Sequence, residues 1–342
     1  MKTLSKGVMQ HRKSLKNAAL EFAKMVPIAG PHVQAAEQFF KVFSEINSQL
    51  CRERFDDYIM GIGEICEDEV EISREHFSAL VKKLVLDDED KKTEYYIRLT
   101  VSLARSCISD DEKFFYINAL SDLTCLDIEY ARKLYIMTNS SISGFKSATA
   151  AQVKFTSQKS GLNLRSLNKL ITSGLIYEVN TTHPETSRIF NLTEELQSLL
   201  KYLFHREDFL PSILGLESKK HYDVLIMEGY EFYDEFCRTS IEEKLKSGGL
   251  SVRVEKNEEA MSQIIASFYI KTRTGENLDG EPYGVIEIFV HDDSKSFRNT
   301  ELVNWQQFDP KIINLNGKDL LELTQAIDDS CAYILNRMTA ST

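Results

Sequence analysis

The chain has 342 residues, of which 42% are hydrophobic and 27% charged, so it is long enough for two or three domains that each bury a core. Its formal net charge of −11 excludes a protein whose whole surface attracts nucleic acid, although a local basic patch remains compatible with that charge. The six cysteines show neither a CxxC pair nor zinc-type spacing with histidine. This pattern predicts free thiols in a reducing compartment and no metal site.

The sequence shows no recognisable signal peptide and no apolar run long enough to predict an ordinary transmembrane helix. Together with the free thiols, this predicts a cytoplasmic protein. Residues 1–24 are basic and compatible with a helix, and such a segment can make peripheral contact with an anionic membrane surface. Packing of this segment on the domain core is the favoured alternative, because its apolar stripe is no wider than a core stripe.

Residues 1–138 predict a bundle of helices, because apolar residues recur at helical spacing between polar caps. One helix is expected to start after Pro31, and residues 49–86 are expected to form one long helix or two. Asp90 is expected to cap the following helix. Ser109 and Glu112 have the spacing of a capping box.

The helices of residues 95–104, 110–126 and 127–135 carry a resemblance to a known family. Their order of charged caps and apolar spacings resembles the abortive-infection alpha-type (Abi-alpha) helical proteins of bacteria and their prophages. The resemblance covers the N-terminal two-thirds of the chain. It implies a role in phage defence or phage exclusion, and it implies no catalytic residues.

Residues 147–208 predict a winged helix. An amphipathic segment ends at Gly174, two β-type runs over residues 175–179 and 188–192 flank a polar turn, and Thr193 begins another helix. The expected buried stripe of the amphipathic helix consists of Leu164, Leu167, Leu170 and Ile171. The residues expected to face outward are Arg165, Ser166, Asn168, Lys169 and Thr172.

This region is locally basic, which favours DNA binding. Phosphates are contacted by Arg and Lys, and base edges by Arg, Asn or Gln. The candidate DNA-binding residues are Lys154, Lys159, Arg165, Asn168, Lys169 and Arg188. The alternative is a connector or protein-docking module, since affinity for DNA is built from many phosphate contacts and only Arg165 and Lys169 are cations on the outer side of the key helix.

Residues 221–342 predict an α/β domain. A buried strand from His221, a helix, and a second strand before Lys256 follow one another as in a βαβ unit. Residues 262–271 and 283–291 are expected to pair as a hairpin, and residues 318–338 to form a last helix.

The sequence of this domain contains partial patterns of two enzyme classes. Tyr222-Asp223-Val224 is faintly similar to the opening of a TIR domain, but Glu258 and Glu259 come too early for its catalytic glutamate. A PD-(D/E)xK nuclease fails because Glu287 is followed by Ile-Phe, although Asp279, Glu281, Asp292, Asp293 and Lys295 lie nearby. No phosphate-binding loop or nucleophile elbow occurs, so no catalytic residue, metal or cofactor is predicted.

The sequence therefore predicts an α+β, mostly α protein with an N-terminal helical bundle, a central winged helix and a C-terminal α/β domain. The preferred hypothesis is a non-enzymatic bacterial or prophage protein that acts in phage defence by contacting a protein partner or phage component. The alternatives are a DNA-binding regulator with a ligand-sensing or dimerising last domain, and a TIR-like or nuclease-like effector enzyme. A homo-oligomer is also expected.

Overall fold

The computed structural model describes residues 33–65, 72–158, 160–179, 188–227, 232–255, 262–276, 282–290, 301–308 and 320–340. These residues form an α+β structure of ten α-helices and two β-sheets, which confirms the predicted fold class at this coarse level. Contacts between Cα atoms divide the chain into two units, Met1–Asp56 and Asp57–Thr342. All contacts described below lie within the second unit. The basic segment 1–24, with its predicted membrane contact, lies outside the described residues.

Among the described residues, five helices lie in the part of the chain predicted as a bundle. They are α1 (Val33–Ile65), α2 (Arg74–Leu86), α3 (Lys92–Arg105), α4 (Asp110–Asp122) and α5 (Cys125–Asn139). The capping box is confirmed, because the Ser109 hydroxyl accepts the Glu112 N–H at 3.3 Å and the Glu112 carboxylate accepts the Ser109 N–H at 2.8 Å. The prediction for Asp90 is wrong. Lys91 stands at the N-cap of α3 without a side-chain cap, and Asp90 contributes its backbone carbonyl to the Thr93 N–H at 3.0 Å.

A buried ion pair joins the end of α2 to the start of α3, and a hydrogen bond from the same ammonium reaches the end of α4. The Lys92 ammonium, in a side chain only 2% exposed, donates to the Asp87 carboxylate at 2.5 Å and to the Ser121 carbonyl at 3.2 Å. The Tyr96 hydroxyl donates to the same carboxylate at 3.1 Å. Each buried charge is therefore compensated, which is the condition for burying such groups at acceptable cost.

A helical pair and a hairpin follow. The elements are α6 (Ala148–Thr156), α7 (Gly161–Thr172), β1 (Ile176–Val179), β2 (Ile189–Leu192) and α8 (Glu194–Leu203). Gly174 has φ +68° and ends α7, since glycine adopts this left-handed conformation without steric cost. β1 and β2 pair antiparallel, with Ile176 opposite Leu192. α5 packs against α6, α7 and α8, and α3 packs against α8. These contacts cross the predicted domain limits at residues 138 and 147, which remain predictions.

The second sheet has five strands in the order β4-β3-β5-β6-β7. Its elements are β3 (Lys220–Met227), α9 (Phe232–Ser247), β4 (Val252–Glu255), β5 (Ile264–Glu276), β6 (Pro282–Val290), β7 (Glu301–Phe308) and α10 (Leu320–Thr339). β3 runs parallel to β4 and β5, whereas β5, β6 and β7 pair antiparallel. The predicted βαβ order, the hairpin and the last helix are confirmed.

The core of this part lies between one face of the sheet and the helices α9 and α10. Ile226, Ile270 and Ile286 from three neighbouring strands pack there with Ile241 and Ile327 from the helices. Leu225 and Tyr269 belong to a separate buried cluster. A parallel strand pair covered by a crossover helix explains the continuous apolar run of β3, because such strands bury side chains on both faces.

Candidate functional site

The orientation of α7 is set by a buried polar contact. The Ser166 hydroxyl, fully buried, donates to the Asp127 carboxylate at 2.6 Å. Asp127 lies in the first turn of α5 and also accepts the Thr124 N–H at 3.0 Å and the Thr124 hydroxyl at 2.8 Å. The prediction that Ser166 faces outward is wrong, because a buried carboxylate from another helix binds its hydroxyl.

The ionised form of Asp127 is favoured by these contacts. Burial opposes ionisation, but hydrogen bonds from Ser166 and Thr124, with the positive charge of Arg165, outweigh it and lower the pKa of the Asp127 carboxyl. The carboxylate therefore remains charged at neutral pH and holds α7 through a charge-assisted hydrogen bond.

The same contact explains a second error of the sequence prediction. Leu164 was expected in the buried stripe, yet it is 45% exposed, and Leu162 is 59% exposed. Residues two positions apart on an α-helix point about 200° apart around its axis, so placing Ser166 inward turns Leu164 outward. Leu167 and Leu170 are buried as expected.

Three candidate DNA-binding residues lie on α7. Arg165 and Asn168 are exposed, and Lys169 is half-buried. At about 100° per residue, Arg165 and Asn168 face away from the buried side of α7, whereas Leu162 with Lys169 and Leu164 lie toward opposite borders of the exposed side. We call these five residues the α7 surface. It combines two exposed leucines with two cations and one amide.

Two other candidates, Lys154 and Arg188, lie outside α7 and have intramolecular contacts. Lys154, on α6, is exposed, and its ammonium lies 5.2 Å from the centre of the Phe145 ring. Arg188 donates from Nε and Nη2 to the two carboxylate oxygens of Glu178 at 2.9 and 2.5 Å. This bidentate pair lowers the pKa of Glu178 and raises that of Arg188. Lys159 lies outside the described residues.

The hairpin is attached to the helices by a buried amide that the sequence analysis did not single out. Gln152 of α6 is 2% exposed. Its amide nitrogen donates to the Phe190 carbonyl at 2.6 Å and to the Thr138 hydroxyl at 3.0 Å, while its amide oxygen accepts the Phe190 N–H at 3.0 Å. The only sequence signal was one polar amide within the apolar start of α6. Gln152 thus pairs with β2 much as a neighbouring strand would.

Two residues of the TIR-like and nuclease-like patterns, Asp223 and Glu287, lie among the described residues, and both bind other side chains. The Asp223 carboxylate accepts the N–H and the hydroxyl of Ser251, both at 2.7 Å, and so joins the middle of β3 to the residue before β4. Glu287 is buried and accepts hydrogen bonds from the Arg273 guanidinium at 2.8 and 2.7 Å. The remaining residues, namely Glu258, Glu259, Asp279, Glu281, Asp292, Asp293 and Lys295, lie outside the described residues.

A cleft of about 660 Å³ lies where the segments before α6 and before β3 meet the sheet. Its charged lining residues are Glu217, Lys220, Arg253 and Glu255. Arg253 is engaged by Glu255 at 2.7 Å, and the opposite charges balance. The cleft therefore shows no preference for a ligand of one charge.

Among the described residues, no group of three or more His, Cys, Asp or Glu side chains could hold a metal ion. None of the helices in the described part of the chain has both the length and the apolar character needed to cross a membrane. Comparison with known proteins found no matching family model, no matching curated protein and no matching solved structure.

Proposed function

We propose that this chain is a non-enzymatic protein of phage defence or exclusion, and that its α7 surface binds a partner protein. The observation that carries the proposal is the exposure of two leucines at opposite borders of the outer side of α7, Leu162 at 59% and Leu164 at 45%, with Arg165 and Asn168 between them. The fully buried core of a protein–protein interface is more apolar than the rest of the surface and is enriched in arginine. Phosphate backbones offer such leucines no favourable contact.

The side chains of the α7 surface also indicate the chemistry of the partner that would bind it. Arg165 and Lys169 lie between the two leucines around the helix, so the partner offers acidic side chains with apolar contacts on either side. We infer that α6, α7, the β1–β2 hairpin and α8, within residues 147–208, constitute a winged helix used for protein docking. The order of three helices and an antiparallel hairpin supports this inference. The resemblance of α3, α4 and α5 to Abi-alpha proteins supports the role in phage defence.

A DNA-binding regulator is the second candidate. Arg165 and Asn168 are exposed on one helix, and both have the donor groups that read base edges. Two further predicted DNA ligands, Lys154 and Arg188, already contact Phe145 and Glu178. The surface thus offers few uncommitted cations for phosphate contacts, which favours the protein partner.

Phage plating on cells that express the full chain tests the proposal. Leu162→Glu/Leu164→Glu places charge in the apolar contact, and we expect plating to rise at least tenfold toward that of cells lacking the protein. Met60→Glu/Leu86→Glu is the matched control, because these side chains are 59% and 63% exposed on other helices. We expect the control to protect like the wild type. Unchanged plating with the α7 variant, or equal loss of protection with the control, would contradict the proposal.

A further inference from the structure

We propose that two copies of this chain associate through β7, pairing antiparallel about a two-fold axis so that one sheet runs through both. The proposal concerns the sheet and does not depend on the α7 surface. β7 is the outermost strand of the five-stranded sheet among the described residues.

The two edges of the sheet differ in the features that control strand pairing. β4, at one edge, has four residues, and two of them, Arg253 and Glu255, are charged and pair with each other at 2.7 Å. Short, charged strands are how proteins keep an edge from pairing with another chain. β7 has eight residues, contains neither lysine nor proline, and carries its one charge, Glu301, at its first position. It lacks the side chains that protect an edge.

β7 also presents its largest apolar side chains to solvent. Trp305 is 55% exposed and Leu302 is 46% exposed. Both line a cleft of about 320 Å³, together with Val285, Gln307 and the ion pair of Arg273 with Glu287. An exposed tryptophan beside an arginine is a frequent anchor of protein interfaces. The neutralised ion pair leaves no net charge in the cleft to oppose burial.

The geometry of β7 fits a second copy of itself. The backbone N–H of Trp305 donates to the side chain of the adjacent Asn304 at 2.7 Å, and pairing with a second copy exchanges this partner for a backbone carbonyl. The irregularity in the β6–β7 pairing lies between Ile288 and Phe289, opposite the first residues of β7, so the regular edge is residues 304–308. Antiparallel pairing centred on Gln306 places Trp305 of each copy opposite Gln307 of the other.

This pairing satisfies the requirement of a two-fold interface that each contact occurs twice. The two Glu301 carboxylates then lie at opposite ends of the paired segment, so no like charges face each other. Each Trp305 side chain gains apolar contact near the axis, at the position where interface energy is usually concentrated.

Trp305 is the only tryptophan of the chain, so its fluorescence reports on this surface alone. We expect dilution of the full-length protein, followed by light scattering and emission spectra, to show a dimer that dissociates. Trp305 emission should shift to longer wavelength over the same concentration range. Gln307→Lys places two positive charges near the axis and should weaken association at least tenfold.

Gln325→Lys on α10 is the matched control, since Gln325 is exposed and the charge change is the same. It should associate like the wild type. A protein that is monomeric at every concentration overturns the proposal. So does a dimer whose formation leaves Trp305 emission unchanged, because it uses another surface. A Gln307→Lys protein that associates as tightly as the wild type overturns it as well.

Discussion

The helical part of the molecule and the core beneath the sheet bury different kinds of groups. Buried polar side chains in the helical part include His76, Lys92, Thr100, Asp127, Gln152 and Ser166, and each has a hydrogen-bond partner. The core between the sheet and α9 and α10 consists of aliphatic, phenylalanine and cysteine side chains. On α10, Ser330 is fully buried and its hydroxyl has no hydrogen-bond partner among the described residues.

This difference shows which kind of contact fixes the position of a surface in each region. Apolar packing is non-directional and tolerates rearrangement, whereas a buried hydrogen bond requires one partner in one geometry. Ser166 and Asp127 decide which side of α7 meets solvent, and Gln152 decides where the hairpin lies. The α7 surface is therefore positioned by polar contacts, whereas the sheet face that packs on α9 and α10 is held there by an apolar core.

The largest effect is expected at Gln152. Gln152→Leu keeps the approximate size of the side chain but leaves the buried N–H and C=O of Phe190 without their partner. We expect a loss of about 2–4 kcal/mol in the free energy of unfolding, since each unsatisfied buried group costs about 1–3 kcal/mol. Urea unfolding followed by circular dichroism measures this loss. Gln325→Leu, at an exposed helical position, should change the free energy by less than about 0.5 kcal/mol. If Gln152→Leu and Gln325→Leu lowered the free energy of unfolding equally, the buried hydrogen bonds of Gln152 would not be what stabilises the helical part.

Local features of the fold could be predicted from the sequence. The capping box of Ser109 and Glu112, the helix end at Gly174 and the helix start at Thr193 each depend on residues within a few positions of each other. Such local hydrogen bonds and backbone conformations leave a clear pattern in a single sequence.

Apart from the cap predicted at Asp90, which is a local error, the wrong predictions concern contacts between residues far apart in the chain. Ser166 was expected outside and Leu164 inside because the apolar spacing of α7 fits both orientations. The deciding partner, Asp127, lies 39 positions earlier in the chain. Gln152 escaped notice for the same reason, because its partner Phe190 lies 38 positions later. Long-range polar contacts have no periodic pattern that a single sequence reveals.

The smallest effect is expected at Ser330, and in the opposite direction. Ser330→Ala removes a buried hydroxyl that has no partner among the described residues, so the desolvation cost of that hydroxyl disappears. We expect the free energy of unfolding to rise or to stay within about 1 kcal/mol of the wild type. A thermal or urea unfolding curve is sufficient. A loss of unfolding free energy as large as that of Gln152→Leu would mean that the core between the sheet and the helices α9 and α10 also relies on directional polar contacts.

The most direct test of the central claim, that the α7 surface binds protein and not DNA, is a titration of the intact chain with duplex DNA. Fluorescence anisotropy at several salt concentrations gives both the affinity and its salt dependence. We predict that Arg165→Ala/Lys169→Ala and a control with the same charge change, Lys133→Ala/Lys201→Ala at exposed positions of α5 and α8, bind DNA equally weakly. A loss of affinity confined to the α7 variant, with a salt slope lower by about 2, would contradict the account and identify α7 as a DNA-binding helix.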